Sequence, residues 1–123
     1  MAAVEPSCLA FVIHEDDDFR RRLITTLDRH GFSVTFAAPA QAAALLTSRK
    51  FRVIILGLNL QSEPEVKMLE HLRTHRDDAT CGVIILGNPD PAVRTVAPWA
   101  DETLLKPVDP DYLATRARSY CGC

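Results

Sequence analysis

Three short apolar runs limit what this chain can fold into. The middle one, Val53-Ile54-Ile55-Leu56 ahead of Gly57, sits inside FRVIILGLNL; the others lie in LAFVIHED from Leu9 and in GVIILGNPD from Gly82. Each is short for a helix and rich in β-branched residues, and none shows the polar–apolar alternation of a strand with one wet face. Strands of this kind are buried on both sides, which calls for a parallel sheet covered by helices above and below. Each run leads into small or polar residues, and open α/β sheets place their sites beyond the carboxyl ends of their strands.

Between the runs the apolar spacing becomes helical. Phe19, Leu23 and Leu27 recur every fourth residue and predict a helix from about Asp17 to His30, started by the carboxylates of Asp16 to Asp18 and stopped by Gly31. Ser33 to Ala37 predict a more polar edge strand with Val34 and Phe36 facing inward. Pro39 opens a helix over Ala40 to Ser48, and another from about Glu65 to His75 buries Val66, Leu69 and Leu72. Past the strand at Val83 to Leu86, the prolines of Asn88-Pro89-Asp90-Pro91 and Pro98 leave only Ala92 to Ala97 for a short fourth helix. Thr103 to Leu105 form a fifth strand before Lys106-Pro107, and Pro110 opens a last helix with Leu113, Ala117 and Tyr120 as its apolar stripe. Five strands alternating with five helices predict a three-layer α/β sandwich with right-handed crossovers.

A length of 123 residues suits one domain, 1–123, with a core over about 8–120. The net charge of -2 gives no broad attraction to nucleic acid or anionic membrane. Arg20, Arg21 and Arg22 stand beside Asp16, Asp17 and Asp18 and read as the solvated side of a helix. No stretch is long enough to span a bilayer and MAAVEPSC lacks the features of an export signal, so the expectation is a cytoplasmic chain without membrane insertion. Cys8, Cys81, Cys121 and Cys123 match neither a disulfide framework nor a metal-site spacing; the terminal CxC predicts thiols open to oxidation between molecules.

This order of elements, with the residues at the strand ends, resembles the receiver domain of two-component response regulators, a flavodoxin-like (βα)5 fold with strand order 2-1-3-4-5. The resemblance spans essentially the whole chain, and ADETLLKPVD is similar to the family's usual GADDYLTKPF. The resemblance implies a site with two acids after the first strand, a phosphate-accepting Asp after the third and a Thr or Ser after the fourth. An aromatic in the fifth strand and a Lys-Pro after it complete the pattern. In this sequence those positions fall on His14 and Glu15, Gly57, Gly87, Thr103 and Lys106-Pro107, and Asn59 stands where the family lends a carbonyl to Mg²⁺. Phosphoryl transfer needs a nucleophilic carboxylate and a divalent ion. Gly57 supplies no nucleophile, and Glu15 alone falls short of the several oxygens that Mg²⁺ takes. Gly87 has no hydroxyl and Thr103 no ring. The expectation is a degenerate phosphorylation site: no catalytic residue, no metal, no cofactor, and no enzyme activity. VIILGNPD and ADETLLKPVD are also similar to the pseudo-receiver of a myxobacterial gliding-motility protein, which implies a bacterial signalling, polarity or motility protein with this domain in the N-terminal part of a larger chain.

Within that frame Lys106 is expected to pair with Glu15, and His14 to be satisfied by hydrogen bonds. Asp16 and Asp17 read as helix-start groups in preference to substitute phosphoacceptors. Family usage points to Val93, Val96, Trp99, Tyr112 and Arg116 as an interaction face for a protein partner; homo-oligomerisation stays open. The alternative function is a sensor for a small anionic ligand, with Gly57 and Gly87 leaving space and Lys106, Asn59 and Asn88 offering polar contacts.

Overall fold

The computed structural model describes residues 8–14, 16–38, 41, 44–45, 51–57, 67, 70, 74, 82–87, 100–105 and 108–121. Its strands are β1 (Cys8–Ile13), β2 (Phe32–Phe36), β3 (Val53–Gly57), β4 (Gly82–Gly87) and β5 (Glu102–Leu105); its helices are α1 (Asp17–Arg29) and α2 (Pro110–Arg118). All strand pairs are parallel, and the order is β2-β1-β3-β4-β5, as expected. Positions 41, 44 and 45 are helical, as are 67, 70 and 74, inside two of the expected helices. The expected helix over Ala92 to Ala97 lies outside the described residues.

Both faces of the sheet's central strands are buried. Phe11, Ile13, Ile54, Leu56, Val83 and Ile85 pack on one side with Phe51, Ala37 and Leu45. Ala10, Val12, Val53, Ile55, Ile84 and Leu86 pack on the other against Leu23 and Leu27 of α1 and Leu113, Ala114 and Ala117 of α2. Alternate residues of one apolar run thus feed two cores, so the runs show no alternation of polarity.

The helix ends follow from local chemistry. Asp16 caps α1, its side chain accepting the Phe19 N–H at 3.1 Å; Gly31, at φ 89°, ends it in a backbone region that favours glycine. Asp109 caps α2 and Pro110 occupies its first turn, where a missing N–H costs nothing. In β2 the expected inward pair is corrected: Phe32 is buried, Val34 half-buried, and Phe36 is 53% exposed. β2 is an edge strand, and the Arg20 guanidinium, 5.1 Å from the Phe36 ring centroid, is the group over that ring.

The cysteines also differ from expectation. Cys8 at the start of β1 and Cys121 just past α2 are joined by a disulfide, with Cα atoms 5.7 Å apart and a sequence separation of 113. The sheet brings the two ends of the domain together, a proximity that no local spacing reveals; Cys81 and Cys123 lie outside the described residues. Closing so long a loop restricts the unfolded chain strongly, by about 3–5 kcal/mol. Reduction, or Cys8→Ser, is therefore expected to lower the thermal midpoint by about 10–20 °C, with the oxidised form identified by an intact mass lighter by two hydrogens. A midpoint insensitive to reductant would show that the bridge does not contribute.

Candidate functional site

The carboxyl ends of β1, β3 and β4 lie side by side because the ladders set Ile13 opposite Leu56 and Gly57 opposite Leu86. His14 follows β1 directly and Gly57 is the last residue of β3, so the two lie beside each other at the strand ends. Gly87 ends β4 opposite Leu105, and Thr103 pairs with Ile85, two residues short of Gly87. Of the expected site positions, Glu15, Asn59 and Lys106 lie outside the described residues.

His14 is buried, with 7% of its surface exposed. Its Nδ1 accepts the Asp16 N–H at 3.0 Å, so a neutral ring carries its proton on Nε2. The Phe19 ring stacks on it at 4.6 Å between centroids, tilted by 33°. Arg20 donates to the His14 carbonyl at 3.1 Å and pairs with Asp17 at 2.6 Å, so this member of the basic run works for the strand end and is not simply solvated.

The imidazole fills the space over Gly57. A Cβ built on Gly57 would stand 2.8 Å from both Cγ and Nε2 of His14 and closer still to Cδ2, distances that real side chains do not tolerate. Glycine is the residue that lets the imidazole and the β3 backbone approach so closely. Sequence reasoning found both residues but not this relation, which depends on the register and on the direction of the His14 ring.

The Mg²⁺ that working receivers hold does not fit the described residues. Position 57 offers no side-chain oxygen, position 14 is an imidazole whose Nδ1 is already engaged, and the Asp16 carboxylate is committed to capping. No group of three or more His, Cys, Asp or Glu suited to a metal occurs among the described residues.

On the expected interaction face, Val93, Val96 and Trp99 lie outside the described residues. Tyr112 is 54% exposed. Arg116 is engaged within the fold: its Nη2 and Nε donate to the two carboxylate oxygens of Glu102, a bidentate pair that joins α2 to the start of β5. Sequence reasoning missed Glu102, because an acid opening a short strand carries no sign of the arginine across from it.

A family model described as "Response regulator receiver domain" matches residues 10–118. Among curated proteins, the acid tolerance regulatory proteins ActR of Rhizobium meliloti and Sinorhizobium medicae are each 29% identical over 110 residues, covering 88% of this chain and 57% of theirs. The chain thus spans a little over half the length of these relatives. Similar solved structures include a response regulator from Thermotoga maritima (TM-score 0.77, 20% identity, 96% of this chain and 100% of that one). Another is the chemotaxis response regulator CheY4 of Vibrio cholerae (TM-score 0.79, 19% identity, 94% and 99%). An orphan response regulator of H. pylori aligns with TM-score 0.76 at 14% identity, over 94% and 99%.

The Asp16 cap beside His14 is open to a pH test. The Phe19 N–H, aided by the Asp18 N–H and the charge of Arg22 and opposed by some desolvation, holds the Asp16 carboxyl below its ordinary value of 3.8. A depressed pKa contributes stability that is present above the unfolded value and is lost as pH falls through the folded one. Asp16→Ala is expected to lower the thermal midpoint at neutral pH, with the gap to wild type closing as pH drops below about 3.8. Circular dichroism melts across that window check it, and a gap that does not narrow as pH falls would show that the carboxylate charge adds nothing to the cap.

Proposed function

The chain belongs to the response regulator receiver domain family, and we propose that it is a pseudo-receiver: a signalling module that acts through contact with a protein partner without being phosphorylated. The observation that carries this reading is the His14 imidazole lying where a side chain at position 57 would project. An acyl phosphate forms on a carboxylate that faces the donor with room for the phosphoryl group in line. Here the carboxylate is missing and its place is taken by a buried, hydrogen-bonded ring. Glycine at 87 and threonine at 103 fit the same reading, since a site that takes no phosphate needs neither a hydroxyl to sense it nor a ring to relay it.

With no covalent event to report, information passes by docking, and the α2 surface around the exposed Tyr112 is the part of the expected interaction face that the described residues offer. A role in bacterial regulation follows the family and the two acid tolerance regulators; a place in cell polarity or gliding motility rests on the likeness of VIILGNPD and ADETLLKPVD alone. A sensor for a small anion in the vacated pocket is disfavoured, because the space beside Gly57 that it would use holds the imidazole.

Incubation with acetyl phosphate and Mg²⁺ is expected to leave the intact mass unchanged; a stable phospho-adduct would overturn the proposal. A second test addresses the packing. Gly57→Ala is expected to destabilise by about 1–3 kcal/mol through overpacking against the ring. Combining it with His14→Ala should recover much of that loss, giving a coupling energy well above the ~0.5 kcal/mol seen for independent sites. Simple additivity in denaturant melts would mean that the imidazole does not occupy that space.

A further inference from the structure

α1 and α2 lie side by side on one face of the sheet and leave between them a groove of about 420 Å³, lined by Arg21, Arg22, Thr25, Arg29, Pro110 and Asp111 among others. It is shallow and open to solvent, a shape that suits a few side chains of a docked segment better than an enclosed small ligand. Three arginines line it in a chain whose net charge is -2. Among the described residues neither Arg21 nor Arg22 makes an ion pair within 4 Å; Arg22 overlies the Phe19 ring, 6.0 Å from its centroid, and acts on the Asp16 carboxylate only at longer range. Arg29 has Asp111 at 3.9 Å, an exposed and loose pairing that Asp111 shares with His30 at 3.7 Å. The groove therefore holds more positive charge than its one carboxylate balances, and that carboxylate sits where an incoming one would compete with it.

We propose that this groove binds an acidic segment of a partner protein, with Arg21 and Arg22 as the primary contacts and Arg29 exchanging Asp111 for a carboxylate of the segment. Arginine suits the task because its planar fork meets a carboxylate through two parallel hydrogen bonds. The charges around the groove favour a short segment over a nucleic acid. Asp17 and Asp18 stand in the first turn of α1, with Asp28 and Asp111 toward its far end. A long backbone of uniform negative charge would run over these acids, whereas a few carboxylates can sit between them. The exposed Tyr112 follows Asp111 on α2, so the groove borders the surface already considered for docking, yet it stands whether or not the chain takes up phosphate.

The test uses the whole chain and a fluorescein-labelled oligoglutamate peptide followed by anisotropy. Saturable binding is expected, weakening on the order of tenfold as salt rises from about 0.05 to about 0.5 M. Arg21 and Arg22 are both exposed, so reversing them should leave the fold intact; Arg21→Glu with Arg22→Glu is expected to weaken binding tenfold or more, on the order of what several surface ion pairs provide. Asp111→Asn should strengthen it by removing the internal competitor. Absence of binding, affinity unchanged by the double reversal, or weakening by Asp111→Asn would each overturn the proposal. Tighter binding of a single-stranded DNA of equal charge, lost in the same double variant, would overturn it in favour of a nucleic-acid surface.

Discussion

The structure depends on one constraint, the burial of its central strands on both faces. Residues 10–13 of β1, 53–57 of β3 and 82–87 of β4 have almost no contact with solvent. Fully burying one large aliphatic side chain contributes about 1.5–3 kcal/mol, against about 0.2–1 kcal/mol for an exposed ion pair. The apolar runs, and not the surface charges of the helices, hold the domain together. The same burial leaves no room for a polar group along the strands, so chemistry is confined to the ends, where His14 and Gly57 meet.

That constraint explains how much of the fold can be read from residues. β3 and β4 differ from their expected bounds by a residue at most, because a non-alternating β-branched run has few other uses. α1 is legible from Phe19, Leu23 and Leu27 together with its acidic start and Gly31. β2 is harder. At an edge, burial depends on what happens to lie over each position, and Phe36 ended under an arginine and not in the core. The Cys8–Cys121 bridge is beyond sequence reasoning, since it follows from where the sheet delivers two distant residues.

The site was legible by subtraction. Gly57 plainly lacks a nucleophile, and Gly87 plainly lacks a hydroxyl. What occupies the vacated volume was not, for it turns on ladder register and one side chain's direction. His14 matches its expectation of a histidine satisfied by hydrogen bonds, yet it also takes up space, and the two roles need each other. The Asp16 N–H on Nδ1 and the Phe19 ring orient the imidazole toward β3. Arg116, expected on an interaction face, also pairs with Glu102 within the fold while its side chain stays partly exposed, a link that the sequence does not announce.

The sulfur bridge also governs how the domain would respond to being pulled. Tension drawn between residues 8 and 121 would pass through a covalent link and bypass the ladders, which would otherwise shear or peel strand by strand. Oxidised, the fold is a closed mechanical unit whose strands are shielded from traction; reduced, the same traction would fall first on β1 and the end of α2.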